Sequence, residues 1–383
     1  MRLQIFFYFA ALKLKIGVHS SKISLSLYLN WDTNFSIMIK RCVLVTGGAG
    51  YIGSHTTVEL VEAGYDVVLL DNLSNSDKLA IEGVRRITGV EIPFEQVDCC
   101  DRKALEEVFS KYHFDAVIHF AASKAVYESI ENPLKYYQNN LGSLMNVLDV
   151  MRKYECANIV FSSSAVVYGD AEQLPVTEQS PRAEATSPYG NTKRMCEDIL
   201  HDTITAADGA MRAIALRYFN PFGAHPSALI GELPRGVPSN LVPYITQTAA
   251  GIRECLNIFG DDYNTPDGSC IRDYIDVVDL ARAHVVAIGR MIEGRNKSNY
   301  EIFNVGTGRG ISVLELVRAF ERVNNLKLNY RIAPRRAGDI IVSWADTTLA
   351  NNELGWKATR TLDETLAAAW KWQQVIMDRQ KND

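Results

Sequence analysis

Residues 41–53 read RCVLVTGGAGYIG, a sequence typical of a strand, a tight turn and the start of a helix. The first six residues are apolar and β-rich, which is typical of a buried parallel strand. Gly47, Gly50 and Gly53 have the spacing G-x-x-G-x-x-G, and Gly48 completes G-x-G-x-x-G with the last two. A helical pattern follows directly. Glycines between a strand and a helix allow a tight turn and let the backbone approach a pyrophosphate at the helix N-terminus.

A second predicted strand, Asp66–Leu70, is followed by Asp71, about twenty residues beyond the glycines. A carboxylate at this distance binds the ribose hydroxyls of a dinucleotide and repels a 2′-phosphate. The alternative is an ordinary glycine turn that caps a helix, and the combination of strand, helix and acid disfavours it. The sequence therefore predicts a dinucleotide site that takes NAD rather than NADP.

Strand and helix patterns continue to alternate up to residue 219. Strands are predicted at Phe94–Val97, Asp115–Phe120, Ala157–Phe161 and Arg212–Arg217, and helices at Asp101–Tyr112, Pro133–Tyr154 and around Tyr189. Six β-α units in succession predict an α/β protein with a doubly wound, Rossmann-like parallel sheet.

The pattern changes after Tyr218, where residues 220–238 are rich in glycine and proline and are predicted to form a long loop. Shorter elements follow: helices at 240–251, 276–290 and 313–323, a final helix from Thr361, and strands at 256–259 and 300–305. We expect an NAD-binding domain over 38–219 and a smaller mixed α/β substrate lobe over 220–383. Some segments of this lobe are expected to return to the first domain.

The 383 residues are 47% hydrophobic and carry a net charge of −5, which gives no basis for nucleic-acid binding. No apolar stretch is long enough to cross a bilayer. Seven cysteines without metal-ligand spacing predict reduced thiols in the cytoplasm and no metal site. Residues 1–37 are interpreted as an extension or a mis-called start; a signal peptide is the alternative, but no small-residue cleavage site follows the apolar run.

The sequence SPYGNTK at 187–193 places Tyr189 and Lys193 on one face of a helix. A phenol has a pKa near 10, so making it a base at neutral pH takes about 4 kcal/mol. One positive charge at about 4 Å supplies roughly that much, and an oxidised nicotinamide would add a second charge. Tyr189 is therefore a candidate general base. The alternative is a surface helix with a solvated lysine.

Six motifs together resemble the UDP-galactose (UDP-glucose) 4-epimerases of the extended short-chain dehydrogenase/reductases. They are TGGAGYIGSH, FSSSAVVYGD, SPYGNTK, RYFNPFGAHP, IRDYIDVVDLA and PRRAGDI. The resemblance runs from about Met38 to the C-terminus and implies an isomerase with bound NAD, which is reused in each turnover. In this family Tyr189 would exchange a proton with the sugar's 4-hydroxyl, Lys193 would lower the pKa of Tyr189, and Ser164 would hydrogen-bond the C4 oxygen.

The resemblance also implies two sets of binding residues. For NAD they are Gly47, Gly50, Tyr51, Ile52, Gly53, Asp71, Asn72, Asp98, Cys99, Phe120, Ala121, Lys124, Asn139, Tyr189, Lys193 and Phe219. For the UDP-sugar they are Ser164, Tyr189, Asn220, Asn240, Leu241, Phe259, Arg272, Arg336, Asp339 and Ser343. The small size of Ser343 resembles that of the residue at this position in family members that also accept N-acetylated sugars. Relatives suggest a homodimer formed through two long helices beside the active site.

Several alternatives stay open. A dehydratase would need an acid and a base where this chain has Ala165 and Val166; a net oxidoreductase and a non-catalytic NAD sensor are further possibilities. Arg272 and Arg336 could form surface ion pairs. Asn240 could only cap its helix. Ser162, Ser163, His119 and His225 are expected to be structural.

Overall fold

Strands and helices alternate along the first half of the chain in the computed structural model, which describes residues 40–336 and 339–382. In order they are β1 (Cys42–Thr46), α1 (Tyr51–Glu62), β2 (Asp66–Leu70), α2 (Lys78–Thr88), β3 (Phe94–Glu95), α3 (Arg102–Lys111), β4 (Ala116–His119), α4 (Val126–Glu131), α5 (Pro133–Lys153), β5 (Asn158–Ser164), α6 (Pro188–Ala206) and β6 (Arg212–Tyr218). The predicted strands and helices of this half are present. The extension predicted over residues 1–37 lies outside the described residues.

Helices α2 and α4 are not among the helices predicted from the sequence, although α2 has residues typical of a helix start and a helix end. The side chain of Asp77 accepts a hydrogen bond from the Leu79 amide and caps the N-terminus of α2. Gly89 ends the helix in the left-handed conformation, which a side chain at that position would disfavour. An N-cap and a glycine C-cap with eleven residues between them were therefore sufficient to predict this helix.

The second half contains mostly shorter elements, together with a helix of 21 residues at its end. They are β7 (Asn220–Phe222), α7 (Leu241–Ala249), β8 (Leu256–Phe259), β9 (Ile271–Asp276), α8 (Val277–Ile292), β10 (Tyr300–Val305), β11 (Gly310–Ser312), α9 (Val313–Asn324), β12 (Tyr330–Ala333), β13 (Val342–Ser343) and α10 (Leu362–Asn382). The long loop predicted over residues 220–238 is wrong at its start, because β7 pairs in parallel with β9. None of the described helices combines the length and apolar character needed to cross a membrane.

Within the described residues, seven parallel strands form the central sheet in the order β10-β6-β5-β4-β1-β2-β3. The chain moves outward from β1 to β3 and then returns to β4 on the other side of β1. This reversal lies between β1 and β4, whose carboxyl ends diverge into separate loops. Ligands of doubly wound sheets bind at such a point, at the carboxyl ends of the strands.

Alternating side chains of the sheet pack against helices on both of its faces. On one face Leu44 belongs to a core with buried residues of α3, α5 and α6. On the other face Val43 and Val45 belong to a core with α1 and α8. Both faces are therefore covered, which explains why the strands are apolar along their whole length.

The remaining strands form two smaller sheets. Strand β9 pairs antiparallel with β11 and parallel with β13 and β7, while β12 pairs in parallel with β8. Phe222, Ile245 and Phe320 lie in a separate apolar core beneath these sheets. The fold is thus the predicted parallel sheet with a second, mixed α/β part in the C-terminal half.

Candidate functional site

The glycine turn after β1 is closely packed. Gly47 has φ +69°, and a Cβ atom there would lie 2.8 Å from the Ala121 amide nitrogen. A Cβ on Gly53 would lie 2.3 Å from the Gly47 carbonyl oxygen, inside any normal contact distance. Only glycine therefore allows the turn, the start of α1 and the end of β4 to approach this closely.

Helix α1 begins at Tyr51 with Gly50 as its N-cap and without a side-chain capping bond. No acidic residue lies in its first turn. The positive end of the helix dipole is thus unneutralised by side chains, which suits an anionic group.

Asp71 holds this turn against the end of β2 and is 7% exposed. One carboxylate oxygen accepts a hydrogen bond from the Ala49 amide at 3.1 Å. The other accepts bonds from the Leu73 amide at 2.8 Å and the Ser76 hydroxyl at 2.7 Å. The acid predicted to face the ribose therefore also fixes the loop that carries it.

Other residues predicted to bind NAD lie around the carboxyl ends of the same strands. Asn72 donates to Asp98 at 2.9 Å, and Cys99 is buried beside them. Phe120 and Ala121 follow β4 directly. A glycine-lined helix N-terminus, an acid after β2 and polar residues after β3 together fit a dinucleotide, so the residues present suit NAD.

Helix α6 positions Tyr189 and Lys193. Ser187 caps it by accepting a bond from the Gly190 amide at 3.2 Å, and Pro188 occupies the first helical position. The Lys193 ammonium donates to the Ser162 carbonyl oxygen at 2.5 Å and lies 4.9 Å from the centroid of the Phe161 ring. It lies 6.0 Å from the centroid of the Tyr189 ring.

Ser164 is the last residue of β5 and brings its hydroxyl to Tyr189. Its hydrogen bond lowers the pKa of Tyr189, but burial has the larger effect and raises that pKa to about 12. Burial also lowers the pKa of Lys193 to about 8. The structure thus brings the three predicted catalytic residues together, and the phenol is a weaker acid than the sequence analysis expects.

Burial of the phenol is the main physical reason, and the lysine side chain does not offset it because it is turned toward another acceptor. The expected effect on Tyr189 assumed a positive charge at about 4 Å, worth about 4 kcal/mol. The Lys193 ammonium instead lies 6.0 Å from the centroid of the Tyr189 ring, and the effect of burial on the pKa of the phenol prevails. A buried ammonium must find an acceptor, and Lys193 takes the Ser162 carbonyl.

Lys124 and Asn240 both contact Glu232, a residue that was not predicted from the sequence. Glu232 accepts bonds from the Lys124 ammonium at 3.2 Å and from the Asn240 side-chain amide at 2.6 Å. Asn240 precedes α7 but makes no side-chain capping bond, so its interpretation as a simple helix cap is wrong. Asn139, on α5, donates to the Asn140 side chain at 2.9 Å.

The predicted UDP-sugar residues fall mainly in the second half of the chain. Arg272 on β9 is paired with Ser343 on β13. Arg336 forms an ion pair with Asp339 at 2.6 Å, and its guanidinium carbon lies 5.4 Å from the centroid of the Phe259 ring. The remaining UDP-sugar residues are Asn220, exposed at the start of β7, and Leu241, the first residue of α7. Phe219, which is predicted to bind NAD, is buried between β6 and β7.

The two histidines expected to be structural lie in the folded interior or close to it. His119 Nδ1 is 2.8 Å from the Thr46 hydroxyl, and burial lowers the pKa of His119 to about 3. His225 Nδ1 is 2.8 Å from the Ser227 hydroxyl. Both rings are engaged by neighbouring residues.

The parallel sheet, its glycine turn and the Tyr-Lys-Ser arrangement are those of the short-chain dehydrogenase/reductases. The family described as GDP-mannose 4,6 dehydratase matches residues 44–369. UDP-glucose 4-epimerase of Bacillus subtilis is 53% identical over 340 residues, which cover 89% of this chain and 99% of that protein.

Two solved structures extend the comparison. UDP-glucose 4-epimerase from Bifidobacterium longum in complex with NAD+ and UDP is 46% identical with a TM-score of 0.83, covering 87% of this chain and 98% of that one. The UDP-Glc/GlcNAc 4-epimerase from Campylobacter jejuni is 36% identical with a TM-score of 0.76, covering 88% and 99%. The chain belongs to the UDP-glucose 4-epimerase family.

Proposed function

We propose that this protein interconverts UDP-galactose and UDP-glucose by inverting C4 of the hexose, with NAD as a tightly bound cofactor. The observation that carries the proposal is the meeting of Tyr189, Lys193 and Ser164 at the end of β5. The 53% identity to a UDP-glucose 4-epimerase over nearly the whole of that relative supports it.

The glycine turn and Asp71 would hold NAD, together with Asn72, Asp98 and the residues after β4. When bound, NAD supplies the acceptor and donor of hydride at C4 and, in its oxidised form, a positive charge. Asp71 already accepts three hydrogen bonds, two from main-chain amides and one from a hydroxyl. Its position is therefore set before any ligand binds.

Tyr189 would take the proton of the sugar's 4-hydroxyl when the C4–H bond breaks, and would return it to the C4 oxygen once the turned 4-keto sugar has regained hydride on its opposite face. Ser164 hydrogen-bonds the phenol and stabilises its ionised form. Lys193 adds a positive charge on the same side. Because burial raises the pKa of Tyr189 to about 12, the phenol becomes a base only with positive charges close to it.

A dehydratase is the main competing function, since the matching family description names one. Elimination of water needs an additional acid and base beside the tyrosine. The residues after Ser164 are Ala165 and Val166, which begin a short 3₁₀ turn and carry no titratable group. These positions support epimerisation over dehydration.

Ser343 supports a wider substrate range that includes UDP-GlcNAc and UDP-GalNAc. It is partly buried and lies opposite Arg272 in the β9–β13 pair, four residues after Asp339. A small side chain there leaves space for the C2 substituent of the sugar. Packed sites do not readily admit an added group, so this position can act as a steric filter.

A cytoplasmic homodimer is part of the same proposal. The two long helices α5 and α6 expose Met145 and Met195, which are 49% and 40% exposed. On α4 and the start of α5, Tyr127 and Leu134 are 75% and 71% exposed. Such side chains suit a surface shared by two copies. Size-exclusion chromatography with light scattering would test this, and a monomer at micromolar concentration would contradict it.

The function is tested by incubating the purified protein with UDP-galactose without added NAD and identifying the products by NMR. We expect UDP-glucose to form, NAD to copurify and no NADH to accumulate. Tyr189→Phe should abolish turnover and leave NAD bound. Tyr300→Phe is a matched control, because its buried hydroxyl has no hydrogen-bond partner among the described residues. NADH formation in proportion to turnover, or an active Tyr189→Phe enzyme, would contradict the proposal.

A further inference from the structure

A buried carboxylate lies directly behind the serines of β5. Ser163 donates to Glu197 Oε1 at 2.6 Å, and the two residues are 1% and 2% exposed. Glu197 lies one helical turn after Lys193 on α6. Helix α6 therefore contacts β5 through two polar interactions. Lys193 donates to the Ser162 carbonyl oxygen, and Glu197 accepts a bond from the Ser163 hydroxyl.

The carboxylate is itself fixed by Arg217 on β6. The guanidinium donates from Nε to Oε1 at 2.8 Å and from Nη2 to Oε2 at 2.6 Å, so both oxygens of Glu197 are bound. Its third nitrogen donates to the Tyr168 hydroxyl at 2.9 Å, which donates to Asn304 Oδ1 at 2.6 Å. Bidentate, charge-assisted bonds of this kind restrict both partners to one orientation.

Stability alone is a weak reason for such a pair. Removing two charges from water costs several kcal/mol per ion, and buried pairs can often be replaced by apolar residues without loss of stability. The distinctive feature here is the location of the pair. It contacts the residue between Ser162, whose carbonyl binds Lys193, and Ser164, whose hydroxyl binds Tyr189.

We propose that Glu197, oriented by Arg217, is a positioning residue that sets the end of β5 so that Ser164 and Lys193 meet Tyr189. The inference rests on the proposed epimerase function. Neighbouring residues of a strand move together, so a displaced Ser163 displaces Ser162 and Ser164 as well. Misplacement of reacting groups by about 1 Å can reduce a rate up to about a hundredfold.

Ser163→Ala removes the contact between Glu197 and β5 and leaves the ion pair with Arg217 intact. We expect kcat for UDP-galactose to fall about tenfold or more, with KM within about twofold and the NAD content unchanged. The matched control is Thr365→Val. Thr365 also donates a buried hydroxyl to a carboxylate held by an arginine, in this case Asp276 at 2.7 Å with Arg360 at 2.8 Å.

The control should lose a similar amount of thermal stability and keep kcat within about twofold of the wild type. Equal kcat in the two variants would overturn the inference and leave the epimerase function standing. A wild-type protein without epimerase activity would overturn both.

A double variant, Glu197→Leu with Arg217→Met, distinguishes a positioning role of the ion pair from a contribution to protein stability. Without either charge the protein should fold with a melting temperature near that of the wild type, while kcat stays at least about tenfold reduced. Recovery of wild-type kcat in a folded double variant would show that the pair has only a structural role. Should the double variant not fold, the comparison of Ser163→Ala with Thr365→Val decides the question.

Discussion

Gly53→Ala is expected to detach NAD while leaving the protein folded. The added Cβ would lie 2.3 Å from the Gly47 carbonyl oxygen and 2.9 Å from the Gly48 Cα. Ordinary contact begins at 3.4 Å, so the turn must move by about 1.1 Å, the difference between 3.4 and 2.3. Both contacted atoms belong to the main chain, which cannot rotate away as a side chain can.

The substitution has two opposing effects on the free energy of unfolding. Alanine in place of glycine within a helix stabilises by about 1 kcal/mol. Overpacking costs about 1–3 kcal/mol, so the net loss of stability is at most about 2 kcal/mol. The same movement displaces the amides that face the pyrophosphate, and we expect the Kd for NAD to rise about tenfold or more, equivalent to at least 1.4 kcal/mol.

The assay is the NAD content of purified protein, measured after acid release, together with urea unfolding. Gly142→Ala on α5 is the control, because the nearest atom to its new Cβ is the Cys100 sulfur at 3.9 Å. This control should keep its NAD and gain slightly in stability. A Gly53→Ala protein that copurifies with a full complement of NAD would refute the assignment of the glycine turn as the cofactor site.

Two further predictions concern the sugar and the buried His119. Ser343→Tyr should lower kcat/KM for UDP-GlcNAc at least about tenfold and leave the value for UDP-galactose within about threefold, since the bulk lies near the C2 substituent; equal losses for both sugars would argue against a filter. His119→Gln should reduce the acid sensitivity of folding. The folded pKa of His119 is about 3 and the unfolded value is 6.5, so the unfolded chain binds a proton as the pH falls from 7 to 5 and stability is lost. The wild type should lose about 2 kcal/mol more than the variant over that interval in urea titrations, and parallel losses would contradict the burial of a neutral His119.

The sequence was sufficient for the parts of the fold that local patterns determine. The glycine turn and the apolar strands β1 and β5 each depend on neighbouring residues, and each is found close to its predicted place. The start of the 220–238 segment was not predictable in this way. Residues 220–222 form a strand only because β9, about fifty residues later, provides a partner.

The candidate site shows the same difference between features set by neighbouring residues and features set by distant ones. Tyr189, Lys193 and Ser164 belong to short motifs, but helical spacing fixes the Cα of Lys193 and leaves the direction of its side chain open. That direction depends on the Ser162 carbonyl, 31 residues away. Glu197 and Glu232 are single acids without a local pattern. Their partners are distant in the sequence: 20 residues for Glu197 to Arg217 and 108 for Glu232 to Lys124.

The proposed mechanism requires that hydride leaves C4 of the sugar and returns to the same carbon. The experiment incubates UDP-galactose that carries deuterium at C4 with the purified protein and no added NAD, and analyses the product by NMR or mass spectrometry. We predict UDP-glucose that retains deuterium at C4, with none released to solvent. Loss of the label, or its appearance in free NADH, would contradict the mechanism.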